Sequence, residues 1–138
     1  MITLDNQSDI KIDTTFLEKI SDSLTQKEIE LILIDSDTMQ EINHDQRGFD
    51  KTTDVLSFPL EDVPYFPLGS ILINSELAQI KADEFNHSVQ DEITLLFIHG
   101  LLHLLGFDHE VDNGEMREKE ETVIKEFSLP KSLIVRTV

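Results

Sequence analysis

Leu95-Leu-Phe-Ile-His99-Gly-Leu-Leu-His103-Leu-Leu-Gly106-Phe-Asp-His109 is the stretch on which the fold turns. From Leu95 to Phe107 every residue is apolar or glycine except His99 and His103, a composition that predicts a helix buried nearly all round. Residues four apart lie one above the other on a helix, so the two imidazoles share a face. Gly106 offers the positive-φ residue that can end the helix, and the turn after it can swing His109 back toward the pair. A buried imidazole left without partners costs roughly 1–3 kcal/mol. A metal ion would satisfy two of them at once, and three converging imidazoles with a fourth position open to water make a catalytic zinc site. The plainer alternative is a set of core histidines, each bonded to a backbone carbonyl. That suits a lone histidine better than three at this spacing.

The spacing matches the zinc-peptidase pattern H-E-x-x-H-x-x-G-x-x-H at every position but one, because Gly100 stands where those enzymes carry a glutamate. The ligands of a peptidase are present and its general base is absent, so that base would have to come from outside the motif. Hydrolysis of another kind of bond fits the residues better.

At 138 residues the chain is expected to form a single domain, 1–138, burying roughly two-thirds of its unfolded surface. It has no cysteine, which removes disulfides and thiolate ligands and is compatible with a reducing cytosol. The N-terminus lacks the basic start and apolar core of a signal peptide. Leu95–Phe107 is shorter than the ~20 apolar residues that a bilayer span needs. A soluble, cytoplasmic protein without a membrane partner is the expectation. The formal charge of −17, from 28 acidic against 11 basic residues, argues against a broad nucleic-acid surface. An RNA-directed function would need a local basic cleft or a metal that offsets the charge of phosphate.

Strands are expected at Met1–Asp5, Ile29–Ile34, Val55–Phe58 and Ile71–Ile73. Helices are expected from an Asp13 or Thr14 cap to Leu24, from Ser36 or Asp37 through Met39 and Ile42, and from Asn74 or Ser75 to Phe85. Ser88, with Asp91 three residues on, should start the histidine-bearing helix, and Asp112 or Asn113 the last one, which runs to about Phe127. Asn43–Thr53 and Glu61–Gly69 read as loops, and Lys131–Val138 as a short strand or a loose end. Early strands and late helices predict an α+β fold, a small mixed β-sheet packed with several α-helices. The metal site lies on a buried helix and the turn after it.

Two segments carry a resemblance to a known family. His99-Gly-Leu-Leu-His-Leu-Leu-Gly-Phe-Asp-His109 is close to the pattern H-G-x-L-H-L-x-G-y-D-H, and Thr53-Asp-Val-Leu-Ser-Phe-Pro59 follows Asn43 and Arg47 at the matching offset. Both resemble the YbeY endoribonucleases, also called rRNA maturation factors. The resemblance implies a single-strand-specific, zinc-dependent RNase acting in 16S rRNA 3′-end maturation and ribosome quality control. It implies His99, His103 and His109 as zinc ligands and Arg47 as the functionally important arginine. It implies rRNA and the ribosome or its small subunit as partners, with a ribosomal protein as a candidate mediator and no DNA target. Gln46, Thr52 and Ser70 depart from the family's usual aromatic, proline and aspartate at those positions.

The residues themselves support a role for Arg47. A guanidinium is always cationic and grips phosphate through two donors, which suits charge building up at a transition state. Arg47 and Lys51 are the only Lys or Arg between Lys27 and Lys81. The attacking group could be an activated water or the RNA 2′-hydroxyl, and three imidazoles would also accept nickel, copper or cobalt. Asp108 is equally suited to orienting an imidazole or to capping the turn. Glu92 reads as an exposed first-turn carboxylate and more weakly as a support for the metal site. His44 and His87 read as solvent-facing, and Ser57 as a strand residue bonded to backbone, since it lacks the setting of a nucleophile elbow. Two competing functions remain open, a zinc metallopeptidase-like hydrolase and a non-catalytic ribosome assembly factor with a structural metal.

Overall fold

A computed structural model describes residues 1–60 and 67–130. The element order is β1 (Ile2–Asn6), α1 (Thr14–Leu24), β2 (Ile29–Ile34), α2 (Ser36–Arg47), β3 (Val55–Pro59), β4 (Gly69–Asn74), α3 (Ser75–Glu84), α4 (Val89–Leu104) and α5 (Glu115–Glu126). The four strands form one sheet in the order β1-β2-β4-β3. β1 and β4 both pair with β2 in parallel, and β3 closes the edge antiparallel to β4. The fold is the expected α+β arrangement around a mixed sheet.

The near-continuous apolar run of β2 has a simple cause, since both faces of the sheet are covered. Ile29, Leu31, Leu33, Ile71 and Ile73 point to the core that α4 fills with Ile93, Leu95, Phe97, Leu101 and Leu104. The alternate residues Ile34, Leu56 and Leu72, with Ile32 and Phe58 beside them, pack against Met39 and Ile42 of α2. A third cluster joins Ile98 and Leu102 of α4 to Ile20 of α1 and to Met116 and Val123 of α5. α4 is thus enclosed by sheet and helices together, as its composition demands.

Side chains set most of the helix starts. Asp13 accepts from Thr15 N and Phe16 N, Asn74 from Glu76 N and Leu77 N, and Ser88 from Asp91 N. The cap of α2 is Asp35, one or two residues before the expected Ser36 or Asp37, and its carboxylate accepts from Thr38 N at 2.7 Å. Bonding to the Thr38 side chain and backbone holds the Asp35 carboxyl below its ordinary value. α2 also runs further than expected. Polar residues 43–47 continue the helix to Arg47, where Gly48 ends it at φ 74°. The last helix starts later than expected, at Glu115 after Gly114, because the Asp112 carboxylate accepts from Gly114 N and Met116 N. Of the expected loop Glu61–Gly69, residues 61–66 lie outside the described residues, as does the segment Lys131–Val138, and Gly69 already belongs to β4.

Among the described residues, no helix is long and apolar enough to cross a membrane.

Candidate metal centre

The C-terminal end of α4 builds the site. Leu105 N bonds to Leu101 O, Gly106 N to His103 O, and Phe107 N to Leu102 O, while Gly106 takes φ 100°. That is a Schellman stop, with Phe107 packing in the same cluster as Leu102. The chain reverses as expected, and His109 returns to His99 and His103. One nitrogen from each ring lies within 4.8 Å of the other two. Ring centroids are 4.9, 5.2 and 5.7 Å apart.

The hydrogen bonds explain why these rings face one another. Nδ1 of His103 donates to the Phe107 carbonyl at 3.0 Å, and Nδ1 of His99 donates to the Glu120 carboxylate at 3.0 Å. With both Nδ1 protons so engaged, each neutral ring turns an Nε2 lone pair inward, and these two atoms are 3.3 Å apart. Two acceptors at that separation need something electropositive between them. Nδ1 of His109 is buried without a hydrogen-bond partner. Burial, followed by the charges that His99 and His109 could carry, pushes His103 below the ordinary imidazole value, against smaller opposing pulls from the Phe107 carbonyl and Asp108. Neutral imidazoles with inward lone pairs are the ligand form that zinc takes. The donor set fits a divalent transition metal.

Glu120 is the functional residue that the sequence reading missed. It is 1% exposed and sits on α5 between Met116 and Val123, in the buried stripe of that helix. A carboxylate at a core position was the available signal, obscured by the many acidic residues around it. Its bond to His99 is the carboxylate–histidine arrangement that fixes ring orientation and raises ligand basicity.

The histidines line a cleft of about 440 Å³ with Arg47, Asp54, Ser57, Asp108 and Glu110 among its other walls. Arg47 therefore reaches the cleft as expected, although from the last turn of α2 and not from a loop. Its guanidinium shares the space with the carboxylates of Asp54, Asp108 and Glu110. With three carboxylates against one guanidinium, phosphate would need a further cation there. Asp108 accepts from Glu110 N at 3.1 Å, so its direct bond secures the turn that carries His109.

Two sequence expectations fail at the other end of α4. Glu92 is 1% exposed and not a solvated first-turn carboxylate. It binds Nε2 of His87 at 2.8 Å, and His87 is itself largely buried. The two satisfy each other away from the cleft. His44 is solvent-facing as expected, and Ser57 donates to the Gly100 carbonyl at 2.9 Å.

Gly100 has a structural reason to lack the peptidase glutamate. A Cβ there would lie 2.9 Å from Ile71 Cγ2, 3.0 Å from Ser57 Oγ and 3.4 Å from Val55 Cγ2. Here α4 lies tight against the sheet, and this face of the helix has no room for a side chain.

Residues 3–128 match the sequence profile of the family Endoribonuclease YbeY. The chain belongs to that family. It is 58% identical over 137 residues to the endoribonuclease YbeY of Sulfurimonas denitrificans, covering 99% of each. Against the endoribonuclease YbeY of Campylobacter jejuni it is 62% identical over 132 residues, covering 95% of this chain and 96% of the relative. The solution structure of a Thermotoga maritima protein superposes with a TM-score of 0.62 at 31% identity, covering 92% of this chain and 89% of the other. Family membership thus agrees with the resemblance carried by the histidine and Thr53–Pro59 segments.

Thr52, where the resemblance would put a proline, donates to Ser36 O at 3.0 Å and accepts from Asn74 Nδ2 at 2.9 Å. Hydrogen bonds tie this segment to the end of the sheet without a proline.

Proposed function

We propose that this protein is a metal-dependent endoribonuclease that cuts single-stranded RNA, with residues 1–138 forming one catalytic domain. The observation that carries the reading is the pair of inward Nε2 atoms of His99 and His103, 3.3 Å apart and backed by Glu120 and the Phe107 carbonyl, with His109 beside them. Membership of a family named for endoribonuclease activity supplies the bond to be cut.

His99, His103 and His109 would hold the ion, and zinc is the metal that this donor set suits best. A divalent metal bound there supplies Lewis acidity toward a phosphate oxygen and lowers the pKa of water. The chain's own residues do the rest. Glu120 and the Phe107 carbonyl hold two imidazoles in the ligand tautomer. Arg47 takes the non-bridging phosphate oxygens through its paired donors and offsets the charge that grows as the bond breaks.

By its family, the substrate is ribosomal RNA, in 16S rRNA 3′-end maturation and ribosome quality control in the cytoplasm. An acidic chain that meets RNA through one cleft is suited to delivery by a partner, and a ribosomal protein of the small subunit fits that part. No DNA target is implied.

Metal analysis of the purified protein, with cleavage of single-stranded RNA followed before and after chelation, tests the reading. Metal content near one equivalent and chelator-sensitive cutting are the expected results. Cleavage of an unfolded casein-like protein in place of RNA would favour a peptidase, against which Gly100 stands. Bound metal with no RNA cleavage under any metal would favour a structural role in ribosome assembly.

A further inference from the structure

Phe49 is 48% exposed on a turn that is otherwise tied down. Gly48 enters the turn at φ 74°, and its N–H donates to His44 O at 2.9 Å. Lys51 N donates to Phe49 O at 2.9 Å. From inside the fold, the buried Asn43 donates from Nδ2 to Lys51 O at 2.9 Å, and Gln40 donates to the Asp50 carboxylate at 3.1 Å. The turn thus presents an aromatic ring outward on a fixed backbone.

Two cations lie over that ring. Arg47 Cζ is 5.1 Å from its centroid and Lys51 Nζ is 5.6 Å from it. They are the only Lys or Arg between Lys27 and Lys81 in a chain of charge −17. Arg47 also lines the histidine cleft. A flat apolar face, two phosphate-binding groups and the candidate metal centre therefore adjoin.

We propose that Phe49 is a stacking platform for an unpaired RNA base beside the cleft, with Lys51 holding the neighbouring phosphate. This deepens the endoribonuclease reading and rests on it. A base can lie on an aromatic ring only after leaving its own stack, so the contact favours single strands over duplex. Every base has a π face, so the platform tolerates sequence while still selecting strandedness. Stacking also gives an acidic protein a hold on RNA that the surrounding carboxylates do not oppose. Arg47 and Lys51 lie over the ring in the free protein, so a stacking base takes the place of a cation there and leaves it to meet the adjoining phosphate.

The test uses the full chain, freed of metal so that no strand is cut, and a single-stranded oligonucleotide carrying 2-aminopurine. Stacking should quench the probe on binding. Phe49→Leu keeps an apolar side chain and should lose the quench, with affinity falling roughly tenfold or more, as for loss of one base–aromatic stack. Phe49→Trp should retain both. In the metal-loaded protein, Phe49→Leu should raise KM for single-stranded RNA with metal content near wild type, Phe49→Trp, which keeps a ring under Arg47, should hold both KM and kcat, and affinity for duplex RNA should not change. If wild-type protein cuts RNA while Phe49→Leu binds, quenches and cuts like it, the platform is overturned and the nuclease reading stands. Equal losses on duplex and single strand also overturn it. A metal-loaded wild type that neither binds nor cuts RNA overturns the nuclease reading and the platform together.

Discussion

Nδ1 of His99 donates to a carboxylate oxygen of Glu120 across 3.0 Å, which binds the histidine-bearing helix α4 to α5 at a point where the carboxylate is buried. The ring cannot rotate without breaking that bond. Replacing Glu120 with Ala is therefore expected to lower metal affinity by about 10–100-fold, the usual consequence of removing such a partner. Glu120→Gln, which keeps an acceptor oxygen, should lose less. Competition against a chromophoric chelator measures both, and unchanged affinity in Glu120→Ala would remove Glu120 from the site.

Arg47 makes a different prediction because it lines the same cleft but is not one of the three clustered imidazoles. Arg47→Ala should keep full metal content and slow RNA cleavage by roughly 10²–10³-fold, the scale of losing one transition-state donor. Arg47→Lys keeps the charge but not the two-pronged grip, so it should recover only part of the rate. Wild-type turnover in Arg47→Ala would sink its catalytic role.

Gly100 and Ser57 should separate structure from chemistry. Gly100→Ala places a methyl group about 3 Å from Ser57 Oγ and Ile71 Cγ2. A clash of that kind costs about 1–3 kcal/mol, readable in a denaturant melt. Gly100→Glu should destabilise further and gain no peptidase activity. Ser57→Ala loses one hydrogen bond to the Gly100 carbonyl. It should cost about 0.5–1.5 kcal/mol of stability and leave RNA cleavage largely intact.

The pH dependence follows from His103, whose imidazole is held below its ordinary value first by burial and then by its histidine neighbours. The unfolded chain takes up the proton first as pH falls below about 6.5. The metal-free protein therefore has the full contribution of a neutral His103 above that pH, and loses it as pH drops toward the folded-state value. Relief of acidic self-repulsion acts in the opposite direction. The informative quantity is thus the difference in denaturation midpoint between wild type and His103→Gln, at pH about 7.5 and about 5.5. That difference should shift against wild type at the lower pH. Metal affinity should fall in the same direction, because protons compete for the ligand atoms.

Local rules were enough for the centre of the fold. The Schellman stop at Gly106 was legible because only a positive-φ residue could turn the chain there, and the β2 run Ile29–Ile34 because its length and branching exclude a helix. The end of α2 was not legible. Residues Asn43–Arg47 are polar, and what keeps them helical is tertiary, with Met39 and Ile42 packed under the sheet and Asn43 buried. Glu92 and Glu120 were hidden for a related reason. In a chain with 28 acidic residues, the place of Glu120 in the apolar stripe of α5 is a faint signal, and nothing local names the histidine partners of Glu92 and Glu120, 5 and 21 positions away. The histidine cluster could be read because its members sit together. Their supports could not, because they arrive from elsewhere in the fold.

That clustering also affects how the protein folds. All three imidazoles fall between positions 99 and 109, so even a denatured chain keeps a crude chelate. Any affinity of the unfolded ensemble for the ion subtracts from the stabilisation that the ion gives the native state. Metal added to this protein should therefore raise its melting temperature by less than its tightness of binding alone would suggest, and the shortfall measures how much of the centre is local sequence and how much is fold.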